Sequence, residues 1–401
     1  MSVAEPGADA GEAAAGKRDL FELDGLLPDL ADLRARVRAF AREELLPAER
    51  RHAVRLESDA PPELRRWVRE RSAALGLFRL AQPRALGGEG LGPLGLVVVR
   101  EALAAAGAVL GGLVLGGDGG LLALGTPEQR RRFLEPVLRG ELTAAFAFTD
   151  AREGPRTTAV RRGDGYVLSG VKAFVTGGAA ADLLVTVARV TDDGGGPTGS
   201  AIFVVPRNAP GLVLRREQRT LDGSAHGEFE LAGVAVPAAD VIGEVGAGMP
   251  RALESITATR LRVAAVACGA ARWALDEALA QVDRPHRSGT PLAEREQVQA
   301  MLADSAMDLY AARSAVYAAA RRAEDGAADV EVAMAKALAT EAVGRIVDRA
   351  MQLTGAGAVV EDHPLAALFR RARAWRIGEG STEILRLAIA RGLLARRRGG
   401  A

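Results

Sequence analysis

The chain has 401 residues, with 52 Lys+Arg against 51 Asp+Glu and 48% hydrophobic against 26% charged residues. That length supports more than one core and predicts two or three domains, and the composition excludes wholesale disorder. A formal net charge of +1 lacks the surplus a nucleic-acid binder needs to neutralise phosphates. The single cysteine, Cys268, excludes a disulfide framework or a multi-cysteine metal site and reads as a small core residue.

Only Lys17, Lys172 and Lys336 are lysines, beside 49 arginines, a bias spread along the chain that reads as codon usage. No apolar run approaches the length of a membrane span without a charge or a break. The N-terminus is Ala/Gly/Glu/Asp-rich and lacks the basic start and apolar run of a signal peptide. The expectation is a cytoplasmic protein with a flexible tail over 1–19.

From about Leu20 to Gly140 the apolar spacing is mostly helical. Leu30, Leu33, Val37 and Phe40 share one face. Pro61-Pro62 precedes another helical run through Trp67, and the glycines of 83–90 mark a loop. Thr126 is the expected N-cap of a helix with Pro127 at its first position. Between about Ala144 and Val241 short strand-forming runs follow, at 166–168, 173–176, 183–187 and 201–205. Clusters of Gly, Asp and Pro separate them, notably Asp192 to Gly199. Their tight spacing leaves no room for crossover helices, so a mostly antiparallel sheet or barrel is expected. From about Met249 the pattern is helical again, in about four long segments. Val332, Ala335, Ala339, Val343, Ile346 and Ala350 keep helical spacing in one of them, which Gly355 can stop.

Most chemical signatures are absent: no nucleophile elbow, no His-Glu-x-x-His, no Gly-x-Gly-x-x-Gly after a strand. The run 11–17 resembles a phosphate loop, but Arg18 replaces the required hydroxyl residue. The four histidines, His52, His226, His286 and His363, are far apart and read as surface or loop residues, so no metal site is expected. One segment stands out. Ile377-Gly378-Glu379-Gly380-Ser381-Thr382-Glu383-Ile384 puts a carboxylate between two glycines, just before a helix. Glycines allow close backbone approach to a ligand, and a helix start offers free N–H groups. Two readings stand: Glu379 caps its helix, or it is an acid/base group in a ligand pocket.

The segment resembles the C-terminal signature of the acyl-CoA dehydrogenase family. Arg371-Ala372-Arg373, 377–386 and Ile389-Ala390-Arg391 keep its spacing without a gap. Further blocks follow in the family's order: Gly125-Thr126-Pro127-Glu128-Gln129, Phe146-Ala147-Phe148-Thr149, 165–172, 174–178, Val236-Pro237 through Gly246, and Ala335-Lys336 through Glu341. The resemblance runs from about Leu20 to Leu394. It implies an α+β fold with a helical domain over 20–143, a middle antiparallel β-barrel-like domain over 144–245 and a C-terminal four-helix bundle over 246–401.

The resemblance also implies the chemistry. An acyl thioester, on CoA or a carrier protein, is oxidised between its α and β carbons. Glu379 takes the α proton and a hydride passes to N5 of FAD. Some relatives place the base before an arginine on an earlier helix, where this chain has Thr259 before Arg260. Thr149, Phe174, Val175 and Thr176 match positions facing the flavin ring. Arg287, Gln352, Gly355, Ser381 and Glu383 match cofactor-binding positions, and Arg260 and Gly380 lie at the substrate. An electron-transferring flavoprotein or oxygen is the implied electron acceptor, and a homodimer or homotetramer the implied assembly.

Three departures fall at the cofactor. The segment 150–155 is about five residues shorter than the family's and lacks its Gly-Ser-Asp turn. Pro285-His286-Arg287-Ser288-Gly289 lacks the family's aromatic, and Ala356 and Ala358 replace glycines after Gln352. The altered turn makes a carrier-protein thioester of secondary metabolism an expected substrate. Two alternatives remain, a flavin-free protein using the pocket for acid/base chemistry or as a scaffold, and a flavin monooxygenase.

Overall fold

A computed structural model describes residues 27–191, 196–287, 289–326 and 328–399. The expected tail over 1–19, the run 11–17, part of the 192–199 cluster and Ser288 lie outside them.

The N-terminal third is helical. Helices α1 (Pro28–Phe40), α2 (Leu46–Arg51), α3 (Pro62–Ala74), α4 (Pro93–Ala105), α5 (Gly111–Val114), α6 (Pro127–Gln129) and α7 (Glu135–Arg139) follow in turn, with a π-helical turn Ala41–Leu45 joining the first two. Proline opens α1, α3, α4 and α6, where its missing N–H costs nothing and its fixed φ favours the helix. Thr126 caps α6 as expected: Gln129 N–H donates to its Oγ1 at 3.3 Å, and Thr126 N–H donates to Gln129 Oε1 at 2.9 Å. Leu33, Val37 and Phe40 are buried and Leu30 packs beside them.

The middle of the chain forms β1 (Ala144–Ala147), β2 (Thr158–Arg162), β3 (Gly165–Thr176), β4 (Leu183–Thr191), β5 (Pro197–Pro206), β6 (Leu212–Arg219), β7 (Ala225–Pro237) and β8 (Val241–Ile242). They pair in the order β6-β7-β3-β2-β4-β5-β8, with β1 against β4. The β1–β4 and β2–β4 pairs are parallel and the others antiparallel. The runs 166–168 and 173–176, read as two from the sequence, are one strand. Register shifts between Leu168 and Ser169 and between Lys172 and Val175 absorb its irregularities.

The rest is α8 (Gly248–Val282), α9 (Glu296–Glu324), α10 (Asp329–Thr354), α11 (Pro364–Trp375) and α12 (Thr382–Gly399). Helix α8 packs on α10, α9 and α4, while α11 and α12 lean on α10. The 332–350 stripe is buried as expected, Gly355 ends α10 at φ +78°, and Cys268 is a core residue. A buried polar triad locks the helical layers: Glu101 of α4 takes hydrogen bonds from Arg313 and Tyr317 of α9. No helix among the described residues is long and apolar enough to cross a membrane.

Helices α4 and α8 approach closely at Gly269. A Cβ there would lie 2.4 Å from the Glu101 carbonyl oxygen and 2.9 Å from Ala105 N, both backbone atoms that cannot swing aside. Gly269→Ala should therefore destabilise the fold by about 1–3 kcal/mol in urea unfolding. By contrast, Gly344→Ala on α10 meets nothing nearer than Arg376 Cδ at 3.9 Å and should stabilise by up to ~1 kcal/mol through helix propensity.

Candidate active site

Helix α11 stops because the N–H groups of Ile377 and Gly378 both close on Ala374 O, at 2.9 and 3.0 Å. The next two residues are left-handed, Glu379 at φ +56° and Gly380 at φ +99°, and the chain turns into α12. Such a φ is strained for glutamate. Two cations hold the turn from other helices. Arg260 Nε of α8 donates to the Glu379 carbonyl at 2.8 Å, and Lys336 Nζ of α10 donates to the Gly380 carbonyl at 2.8 Å. Beneath them Thr382 Oγ1 donates to Glu341 Oε1 at 2.8 Å, and Arg376 pairs with Glu341 at 2.9 Å. Glu379 lies three residues before the first residue of α12, and its side chain is exposed.

Charge is concentrated under this turn. Burial and the neighbouring Arg260 push the Lys336 amine down to about 8, against the pull of Glu379, Glu341 and Glu383. Burial also lowers Arg260, while Glu379 and Asp329 oppose it. Hydrogen bonds from its own backbone N–H and from Ser381 hold the Glu383 carboxyl below its ordinary value.

The second group of predicted residues lies on β3. Phe174 adopts φ +54° where the β3–β7 register slips, and its ring is 59% exposed. Thr176 shares that outer face. Val175 points the other way and is 1% exposed in the sheet core, so only its backbone is available on the ring side. The Thr149 carbonyl accepts from Ala173 N–H at 2.9 Å, which brings Thr149 beside Phe174. Lys172, 2% exposed, fixes this junction by donating to the Phe148 carbonyl and to Asp150 Oδ1, both at 2.8 Å. Burial raises the Asp150 carboxyl, but the hydrogen bonds and charge of Lys172 and the bonds from Thr157 outweigh it and hold it low. The shortened segment is thus tied to β3, with Ala151 N–H donating to Val171 O at 2.8 Å.

Arg287 and Gln352 are exposed, in the loop after α8 and on the last turn of α10. Gly355 and Gly357 face open space, where an added Cβ meets no atom within 4 Å. Ala358, one of the replaced glycines, turns its methyl into the helical core at 0% exposure. Gly355 and Gly357 thus leave open space at this surface, and Phe174 and Thr176 are exposed on the outer face of β3. Sequence reading missed Lys336, Lys172 and the environment of His226. Thr176 Oγ1 lies 3.2 Å from His226 Nδ1, and the Phe174 and His226 rings meet edge-on at 6.3 Å.

Three family models cover the chain in order: acyl-CoA dehydrogenase N-terminal domain over 28–141, middle domain over 145–234 and C-terminal domain over 246–394. The chain belongs to the acyl-CoA dehydrogenase family. It is 32% identical to a 3-(aryl)acrylate reductase of Clostridium sporogenes, over 90% of this chain and 97% of that protein. A cyclohex-1-ene-1-carbonyl-CoA dehydrogenase of Geobacter metallireducens is also 32% identical, over 89% and 96%. The crystal structure of butyryl-CoA dehydrogenase from Megasphaera elsdenii superposes with a TM-score of 0.77 at 28% identity, covering 92% of this chain and 99% of that one. This acyl-CoA dehydrogenase family member is an oxidoreductase acting on CH–CH groups, in a family of flavoproteins whose usual cofactor is FAD.

Lys336 gives a pH test. Its amine loses its proton near pH 8 in the folded chain but near 10.4 when unfolded. Between these values the unfolded chain holds the extra proton, so stability rises with pH in that window and is flat below it. The rise should reach about 3 kcal/mol in urea unfolding measured from pH 7 to 10.5. It should be absent from the Lys336→Met curve, so that the difference between wild type and variant contains it.

Proposed function

We propose that this protein catalyses FAD-dependent α,β-dehydrogenation of an acyl thioester, with Glu379 as the base that takes the α proton. The observation that carries this reading is the strained Glu379 turn, clamped through two successive carbonyls by Arg260 and Lys336 while the carboxylate is left exposed. A peptide unit is planar and trans, so drawing the Glu379 carbonyl to Arg260 aims the Gly380 N–H the opposite way. Likewise, Lys336 fixes the direction of the next N–H. Backbone donors of this turn, with the Glu379 N–H beside those the two cations orient, would polarise the thioester carbonyl and make its α proton acidic enough to remove.

Thr149, Phe174, Thr176 and the backbone of Val175 would hold the flavin ring. Ser381 and Glu383 would meet it from the turn, with Arg287, Gln352 and Gly355 supplied across a homodimer or homotetramer interface. When bound, FAD accepts the two electrons and the β hydrogen that leave with the α proton. The next turnover then requires an acceptor for the electrons held on the flavin, such as an electron-transferring flavoprotein or oxygen. The working division is 20–143, 144–245 and 246–401. The thioester is carried by CoA or by a carrier protein, and the shortened, serine-free segment 150–155 favours the carrier.

Purified protein incubated with FAD should show the visible bands of oxidised flavin and bleach anaerobically with its thioester. Acyl-CoA and acyl-carrier-protein substrates of matched chain length, compared by kcat/KM, decide the carrier. Glu379→Gln should keep the flavin bands and lose about 10²–10⁴-fold in kcat. Unchanged activity would remove Glu379 from the reaction. A protein that stays colourless with excess FAD would replace this reading with flavin-free acid/base chemistry, and oxygen incorporation into product would replace it with a monooxygenase.

A further inference from the structure

The turn joining β6 to β7 carries a chain of polar contacts that ends at Thr176. Asp222 Oδ1 accepts from Thr220 Oγ1 at 2.6 Å, Ser224 Oγ at 2.7 Å and Ser224 N–H at 3.2 Å. Burial raises the Asp222 carboxyl, but these bonds outweigh it and keep it low. Ser224 Oγ also lies 2.9 Å from His226 Nε2, and His226 Nδ1 lies 3.2 Å from Thr176 Oγ1 and 3.4 Å from the Phe174 carbonyl. This is not the order of a hydrolytic triad, because the carboxylate holds the serine and not the imidazole.

Hydrogen counting orients the chain. Ser224 has one hydroxyl hydrogen and three partners, Asp222 Oδ1 at 2.7 Å, Thr220 Oγ1 at 2.8 Å and His226 Nε2 at 2.9 Å, and the shortest contact, to the carboxylate, takes that hydrogen. The imidazole must then donate Nε2–H to Ser224 Oγ, leaving Nδ1 of the neutral ring bare. The Phe174 carbonyl has no hydrogen to give, so Nδ1 takes the Thr176 hydroxyl hydrogen. The Thr176 oxygen is left with only lone pairs for the open face it shares with Phe174.

We infer that His226 is a positioning residue that fixes the Thr176 hydroxyl as an acceptor toward the flavin ring and so biases the bound flavin toward its reduced form. The inference rests on the reading that Thr176 faces the flavin. N5 of a flavin accepts a hydrogen bond when oxidised and donates one when reduced. A hydroxyl whose hydrogen is committed to His226 can serve only the reduced form, whereas an uncommitted hydroxyl serves both.

The test compares FAD-loaded wild type, His226→Phe, Ser224→Ala, Thr176→Val and the Thr176→Val/His226→Phe double variant. Each is equilibrated with a reference dye while both chromophores are followed by absorbance. His226→Phe should move the reduced-to-oxidised ratio about tenfold toward oxidised flavin, equivalent to ~30 mV for a two-electron couple. Ser224→Ala, which leaves Thr176 and His226 in place, should shift it the same way by less, and it carries the test if His226→Phe does not fold. In the Thr176→Val background, replacing His226 should have no effect. An unchanged ratio in flavin-loaded His226→Phe and Ser224→Ala, or a shift that persists without the Thr176 hydroxyl, would overturn the role of His226 and leave the flavin reading intact. Wild type that takes up no FAD would overturn both.

Discussion

Two hydrogen bonds of 2.8 Å, Arg260 to the Glu379 carbonyl and Lys336 to the Gly380 carbonyl, are the constraint on which the candidate site depends. A glutamate at φ +56° costs about 1–3 kcal/mol, and nothing in its own sequence neighbourhood offsets that. Each hydrogen bond from a charged donor contributes roughly 1.5–3 kcal/mol, so the pair outweighs the strain. The donors come from α8 and α10, hence the turn keeps its shape only while those helices stay packed. The alanine-rich contact between α8 and α10 thus supports the Glu379 turn as well as the core.

The lysines mark this dependence. In a chain with 49 arginines and three lysines, both described lysines are buried, Lys172 at 2% and Lys336 at 0% exposure. Each donates to one backbone carbonyl, Phe148 and Gly380 respectively. A compact ammonium can reach a single carbonyl in a closed space, whereas a planar guanidinium with five donors would bury groups it could not satisfy. The arginine excess is spread along the chain, while its two interior exceptions are the informative positions.

Much of the frame was legible because local chemistry settles it. Thr126 and Pro127 define a helix start whatever surrounds them, and the 332–350 stripe can bury itself only as a helix. Strands were harder to read. β6 carries Arg215, Arg216, Glu217 and Gln218, so its alternation is masked by partners across the ladder, Glu230 and Glu228. The continuity of β3 was hidden because its register shifts are set by β7, a long-range pairing. At the site, Glu379 stood out through its flanking glycines. His226 did not, since its meaning lies in a serine two residues away and a threonine fifty residues upstream.

The departures from the family pattern can be weighed by where they fall. Ala358 spends its methyl in the helical core, so that replacement removes no space from the exposed Gly355–Gly357 surface. The shortened 150–155 segment spends the Ala151 N–H and Asp150 on β3 and Lys172, so these groups are already engaged within the chain. The Phe174–Thr176 face and the Glu379 turn each retain a full set of local supports. The departures therefore lie apart from Phe174 and Glu379, two of the three non-glycine residues with left-handed φ among the described residues, Ala53 being the third. In the proposed reaction, that division separates the bond to be oxidised, which tolerates little displacement of its reacting groups, from the handle that delivers it, which can change as long as the thioester still reaches the turn.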